Sequence, residues 1–258
     1  MDCISLWTDK IRTACQRVEI EHIDVIVDQC AVDFSVLPAL SGFSPPILWQ
    51  SLYLDMPENI YPEDAPVLVR IHLTDAEQIL WFQNLAAEMT SSAPLLICGS
   101  KWSFERLSHW LRDCANARHE GREGIFRFWD TRIFPFLFSH ILDDEQKKQL
   151  QQPVIFWSWL DSDNQPVLEL GGGETLEPDD SAVQIDLTDS QYEKLMCVSD
   201  AKQMMSYEDI PDELFATQQA KFVACYEAML KATEQRILFV DKREQWAMEY
   251  LARQNAAV

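Results

Sequence analysis

Basic residues are scarce in this chain of 258 residues: 21 Lys+Arg stand against 42 Asp+Glu, a formal net charge of −21. That excludes a generic nucleic-acid binder, because phosphate contact depends on clustered Lys and Arg that release counterions. It also sets the chain against an anionic membrane surface. Glycine is scarce too, with seven residues, which argues against nucleotide-binding folds built on several glycine turns. No apolar run approaches the roughly 18 residues that span a bilayer, and residues 1–7 lack a basic stretch followed by an apolar one. The seven cysteines are scattered, odd in number and free of C-x-x-C, so they read as reduced thiols. The expectation is a cytoplasmic protein with no nucleic-acid and no membrane partner.

Catalytic templates are missing as well. The sequence holds no G-x-S-x-G elbow, P-loop, G-x-G-x-x-G or H-E-x-x-H. Ser199-Asp200-Ala201-Lys202 fits S-x-x-K but lacks the companion motifs of that chemistry. Asp161-Ser162-Asp163-Asn164-Gln165-Pro166 starts like a calcium loop, yet Pro166 stands where the loop needs glycine, so a hairpin turn is the simpler reading. The histidines His22, His72, His109, His119 and His140 show no paired ligand spacing. No cofactor and no metal are expected.

What is present is a globular composition, 47% hydrophobic and 24% charged, enough for one large domain or two modest ones. Strands are read at 23–28, 47–54, 66–72, 94–98, 124–129 and 154–160, with 166–170 as a hairpin partner. Helices are read at 8–18, 34–40, from Asp75, from Ser103, at 132–142 and 143–151. Between Asp161 and Glu213 fifteen Asp+Glu face two Lys, around Gly171-Gly172-Gly173, and helices follow at 190–205, 211–232 and 234–255. The expected class is α/β: an N-terminal α/β lobe with a central sheet at 1–165, an acidic glycine-containing linker at 166–184, and a smaller, mainly α-helical lobe at 185–258.

The segment from Pro94 to Pro153 carries a pattern of its own. A helix with His109-Trp110-Leu111-Arg112 is followed by a glycine-containing loop, then by Phe126-Arg127-Phe128-Trp129-Asp130-Thr131-Arg132, then by Asp143-Asp144-Glu145-Gln146. This resembles the bacterial type VI secretion effector chaperones, or adaptor proteins (Tap or Tec), over about residues 20–160. The family pattern is a His-Leu-Arg helix and Phe-Arg-Phe-(Tyr/Trp)-Asp-Pro-Arg; here Trp110 replaces Leu and Thr131 replaces Pro. The resemblance implies a non-catalytic protein that binds one effector, by an N-terminal or linker segment, and helps place it on the valine-glycine-repeat spike (VgrG).

Read as a strand, 126–129 sends Phe126 and Phe128 to one face and Arg127 and Trp129 to the other, leaving the Arg127 guanidinium in need of a partner such as Asp130 or His109. Two readings of His109, Arg112, Arg127, Asp130 and Arg132 stand side by side: a polar network that fixes the turn after the strand, or the lining of a groove for an effector or spike segment. Trp157 and Trp159, sharing a face, are core residues or interface anchors. The acidic 161–213 segment is a solubilising face or a steering surface for a basic partner. Two other classes stay open: an immunity protein that neutralises a basic toxin, and a hydrolase-like enzyme in which Cys98 or Ser100 meets His109 or His140.

Overall fold

The structure, a computed structural model, describes residues 2–90, 95–237 and 239–255. The chain forms two compact units, Met1–Phe138 with Leu142–Asp186, and Ser139–Ile141 with Leu187–Val258. The class is mixed α/β, with helices gathered at the C-terminal end.

The first unit begins with α1 (Cys3–Val18), which Asp2 starts by accepting the Ser5 N–H at 2.8 Å. Strand β1 (His22–Val27), a 3-10 turn at Gln29–Ala31, α2 (Leu37–Leu40), β2 (Leu48–Ser51) and β3 (Val67–His72) follow. Helix α3 (Ala76–Met89) is capped by Asp75, strand β4 spans Leu96–Gly99, and α4 (Phe104–Ala115) is capped by Ser103. A hairpin of β5 (Asn116–His119) and β6 (Arg122–Ile125) leads to the short α5 (Phe134–Phe136) and a π-helical turn, Leu137–Ile141. Helix α6 (Asp144–Gln151) opens on a capping box of Asp143 and Gln146. Strands β7 (Phe156–Leu160), β8 (Pro166–Leu170) and β9 (Ile185–Leu187) complete the list.

Six strands form one sheet in the order β2-β3-β1-β4-β7-β8, with every neighbouring pair antiparallel. On one face Trp7 and Ile11 of α1 and Phe82 and Met89 of α3 cover Val25, Val69 and Ile97; burying each such side chain contributes about 1.5–3 kcal/mol. The Trp7 indole N–H donates to Ser158 Oγ at 2.8 Å, so the polar edge of this anchor is satisfied inside the core. In the same sheet Asp24 lies opposite Arg70 in register, and the guanidinium closes a fork on the carboxylate at 2.8 and 2.9 Å.

Several expected elements differ. Residues 124–129 are not one strand: β6 ends at Ile125, Phe126 N donates to Ala115 O and Phe128 N to Phe126 O, each at 2.8 Å, so the chain folds on itself. Helix 34–40 shrinks to α2 because the Gln29 side chain accepts from Ser35 Oγ and Val36 N, both at 2.8 Å, and holds the approach irregular. The strand read from Pro94 is β4; Pro94 itself lies outside the described residues. Residues 166–184 hold β8 and a closely docked run. Gly171, Gly172 and Gly173 donate N–H bonds to Ile155, Gln151 and Val154 carbonyls, each at 2.9 Å. A Cβ on Gly171 would sit 2.1 Å from Val154 O, so only glycine permits the approach. Further along, Trp102 Nε1 donates to Glu174 O at 2.7 Å and Arg106 Nη2 to Pro178 O at 2.6 Å.

The second unit packs α7 (Asp189–Tyr207), α8 (Gln218–Glu234) and α9 (Val240–Asn255), with a 3-10 turn at Asp212–Leu214. Its buried seam is rich in small residues, including Ala201, Cys225, Ala228, Ala232 and Ala247, which let helix axes approach closely. Arg243 on α9 pairs with Asp200 on α7 at 2.6 Å and donates to Thr233 Oγ1 on α8 at 2.9 Å. The expected helix at 211–232 starts later because Thr217 caps α8, accepting the Ala220 N–H at 3.0 Å.

Candidate functional site

After β6 the chain runs Phe126-Arg127-Phe128-Trp129 across the face of the sheet that presents Trp157 and Trp159. The three aromatics do not alternate; all are buried, and Phe128 is fully so. Phe128 meets Trp129 at 5.3 Å and Trp157 at 6.4 Å between ring centroids, and Phe134 lies 5.1 and 5.2 Å from Trp157 and Trp159. Edge-on aromatic pairs at these separations contribute about 0.5–1.5 kcal/mol each beyond burial. Trp157 and Trp159 are therefore core residues, not exposed interface anchors.

The charged members of the block are anchored from below and open above. Arg127 pairs with Asp28, the residue that follows β1. Trp129 Nε1 donates to the same Asp28 oxygen at 3.1 Å, and the other oxygen accepts Cys30 N at 3.2 Å. Asp28 is thus held on three sides and fixes both the strand end and the aromatic segment. Asp130 accepts from Arg132 N at 3.0 Å and Arg132 Nε at 2.8 Å, and its carbonyl receives Ile133 N and Phe134 N, both at 2.8 Å, to start α5. The carboxylate side chains are each 10% exposed, whereas Arg127 and Arg132 are 41% and 49% exposed.

The electrostatics follow this geometry. Burial alone would lower the Arg127 guanidinium, but the charge and hydrogen bond of Asp28 outweigh it and raise it above its usual range. Burial would lift Asp130, and the hydrogen bonds and charge of Arg132 overcome it and hold the carboxyl below its usual value. Tyr53, whose ring lies 6.3 Å from Trp129, is pushed up to about 12 by burial and the nearby Asp28 charge. The result is a pair of permanently charged, half-exposed guanidinium groups on a rigid aromatic base, suited to carboxylates or carbonyls of a partner chain.

The remaining expected residues are placed elsewhere. Arg127 takes Asp28, not Asp130 or His109. His109 lies half-buried on α4, and no hydrogen bond joins it to Arg127, Asp130 or Arg132 among the described residues. Arg112 binds Asp113 at 3.0 Å and reaches the exposed Asp55 at 3.4 Å, outside the Asp28 cluster. Ser100 is fully buried, donating to Pro153 O at 2.5 Å and accepting Trp102 N at 3.1 Å. Cys98 is fully buried with its thiol pushed well up by burial, so neither forms the nucleophile pair with His109. Asp161 Oδ1 accepts Asp163 N and Gln165 N at 2.9 and 2.8 Å, an Asx turn closing the β7–β8 hairpin.

Sequence reading missed Asp28 and Tyr53. Asp28 stands 99 positions before Arg127, and its one local signal, a carboxylate ending a β-branched run, is shared with ordinary turn residues. Among the described residues no group of three or more His, Cys, Asp or Glu is placed to hold a metal, and no helix is long and apolar enough to cross a membrane.

Residues 25–149 match the family described as a domain of unknown function (DUF4123), a span from β1 into α6 that contains the whole block. No curated protein and no solved structure matches the chain.

Proposed function

With the match over 25–149 as premise, we propose that this chain is a non-catalytic adaptor that binds one type VI secretion effector and loads it onto the VgrG spike. The observation that carries this reading is the form of the Phe126–Arg132 block: its aromatics are spent on the core, while Arg127 and Arg132 are braced by buried carboxylates with their outer faces open. Donors that are rigid, pre-oriented and still open on their outer faces are what a docking surface needs. On this reading Arg127, Asp130 and Arg132 both fix the turn and present a surface. The resemblance to effector chaperones supplies the partner class, an effector segment on one surface and the spike on another.

The test is genetic and places the requirement in one cell. Deleting the gene in the attacking strain should abolish delivery of a single effector while the other effectors of that strain are still delivered, and Arg127→Ala with Arg132→Ala should reproduce the defect with the protein at normal abundance. A requirement for the gene in the recipient cell alone would replace this reading with an immunity protein.

A further inference from the structure

The outer edge of β8 is an open strand edge beside a groove. The bonds Asp161 N to Gln165 O at 3.0 Å and Gly171 N to Ile155 O at 2.9 Å bracket the β7–β8 ladder, whose register sets Phe156 against Leu170 and Ser158 against Leu168. Bonded and non-bonded pairs alternate in an antiparallel ladder. Val167 and Glu169 therefore turn their N–H and C=O groups toward β7, and Leu168 and Leu170 turn theirs outward. The Pro166 carbonyl, also outward, takes Lys10 Nζ at 3.3 Å.

Leu168 and Leu170 are 40% and 73% exposed. Together with Leu6, Ala14, Val18 and Ile155 they line a groove of about 550 Å³ between β8 and α1. An exposed apolar edge of this kind invites pairing with another chain, and folded proteins usually block it with charge, a bulge or a covering element. Lys10 and Arg17 stand at the groove, with Asp9 the one carboxylate among its lining residues. Neither Lys10 nor Arg17 forms an ion pair with a carboxylate among the described residues, although Asp+Glu outnumber Lys+Arg 42 to 21 in the chain. Seven positions apart on α1, their backbones are separated by roughly 10 Å, against about 13 Å between positions i and i+4 on one face of a strand, a difference that the long Lys and Arg side chains span.

We propose that β8 captures an extended segment of the effector by strand addition, and that the segment carries acidic, apolar and acidic residues at alternate positions facing the groove. The backbone of Leu168 and Leu170 supplies the ladder, the groove takes the apolar side chain, and Lys10 and Arg17 take the flanking carboxylates. This deepens the adaptor reading and rests on it only for the source of the segment.

The test uses the full chain and a synthetic peptide with a Glu-Thr-Val-Thr-Glu core, against a control with Lys in place of Glu. The amide resonances of Leu168 and Leu170 should shift on titration with the acidic peptide and not with the control. Leu168→Pro removes an N–H that the sheet itself does not use, which an edge strand tolerates, and should weaken binding about tenfold or more through the lost ladder bond. Lys10→Glu with Arg17→Glu should do the same with the backbone untouched, which keeps the test alive should the proline variant not fold. Unchanged binding in either folded variant, no binding at all, or shifts confined to other amides would overturn the proposal. A concentration-dependent dimer abolished by Leu168→Pro would overturn it in favour of a second copy as occupant. The peptide experiment contains no effector and no spike, so its failure leaves the adaptor reading to the genetic test, and failure there leaves the binding chemistry of β8 standing.

Discussion

Arg127 and Arg132 look alike in the sequence and differ in what depends on them. Asp28, under Arg127, also receives the buried Trp129 indole N–H and the Cys30 N–H. Replacing Asp28 with Ala orphans an indole that water cannot reach, and we expect a loss of about 2 kcal/mol in the denaturant midpoint analysis. Arg132→Ala should cost less, under about 1 kcal/mol, since the guanidinium is half in solvent and Asp130 keeps the residue 132 backbone N–H and the nearby Arg127 charge. A cost for Arg132→Ala equal to that of Asp28→Ala would contradict the division of labour between them. Asp130 adds a pH signature. Its folded carboxyl titrates below the unfolded one, so its stabilisation is fully present above the unfolded value near pH 4 and is lost as pH falls through the folded value. Thermal scans of the parent and of Asp130→Asn should therefore differ at pH 6 and converge toward pH 2; a gap that widens in acid would reverse the assigned sign.

At the scale of elements, what could be read locally was read well. Helices α3, α4 and α6 begin where Asp75, Ser103 and Asp143 place a capping side chain, and the β-branched runs of β1 and β3 became central strands. The missed features depend on groups far apart in sequence. Gln29 decided the shape of 35–36, Asp28 decided the environment of Arg127 and Trp129, and Ala115 drew Phe126 out of a strand. Alternation assigned Arg127 and Trp129 to one face correctly for a strand, but the segment is not one. The glycine triplet, placed by sequence in a linker, is held by its backbone donors. Gly171→Ala would drive a methyl group against Val154 O, and we expect a loss of about 1–3 kcal/mol with local amide protection falling at Gly172 and Gly173. An unchanged exchange pattern would mean that the docked run is not a fixed part of the first unit.

On the scale of the whole molecule the dominant property is the net charge of −21. Self-repulsion of that size opposes compaction and is screened by salt, so the thermal midpoint should rise as salt increases from low ionic strength to about 0.15 M; a fall would mean that attractive pairs outweigh the repulsion. The same charge makes the exposed cations of the first unit, Arg127, Arg132, Lys10 and Arg17, conspicuous as places where an acidic or carbonyl-rich partner segment can be met. The most direct measurement is a pull-down with the tagged chain from a lysate of its source cells, at low and at moderate salt, with the captured proteins identified by mass spectrometry. One effector and a VgrG spike protein recovered together by the parent chain, and one of the two lost with Arg127→Ala and Arg132→Ala, is the expected result. Recovery of a toxin domain without a spike protein, or of neither at both salt concentrations, would contradict the adaptor function.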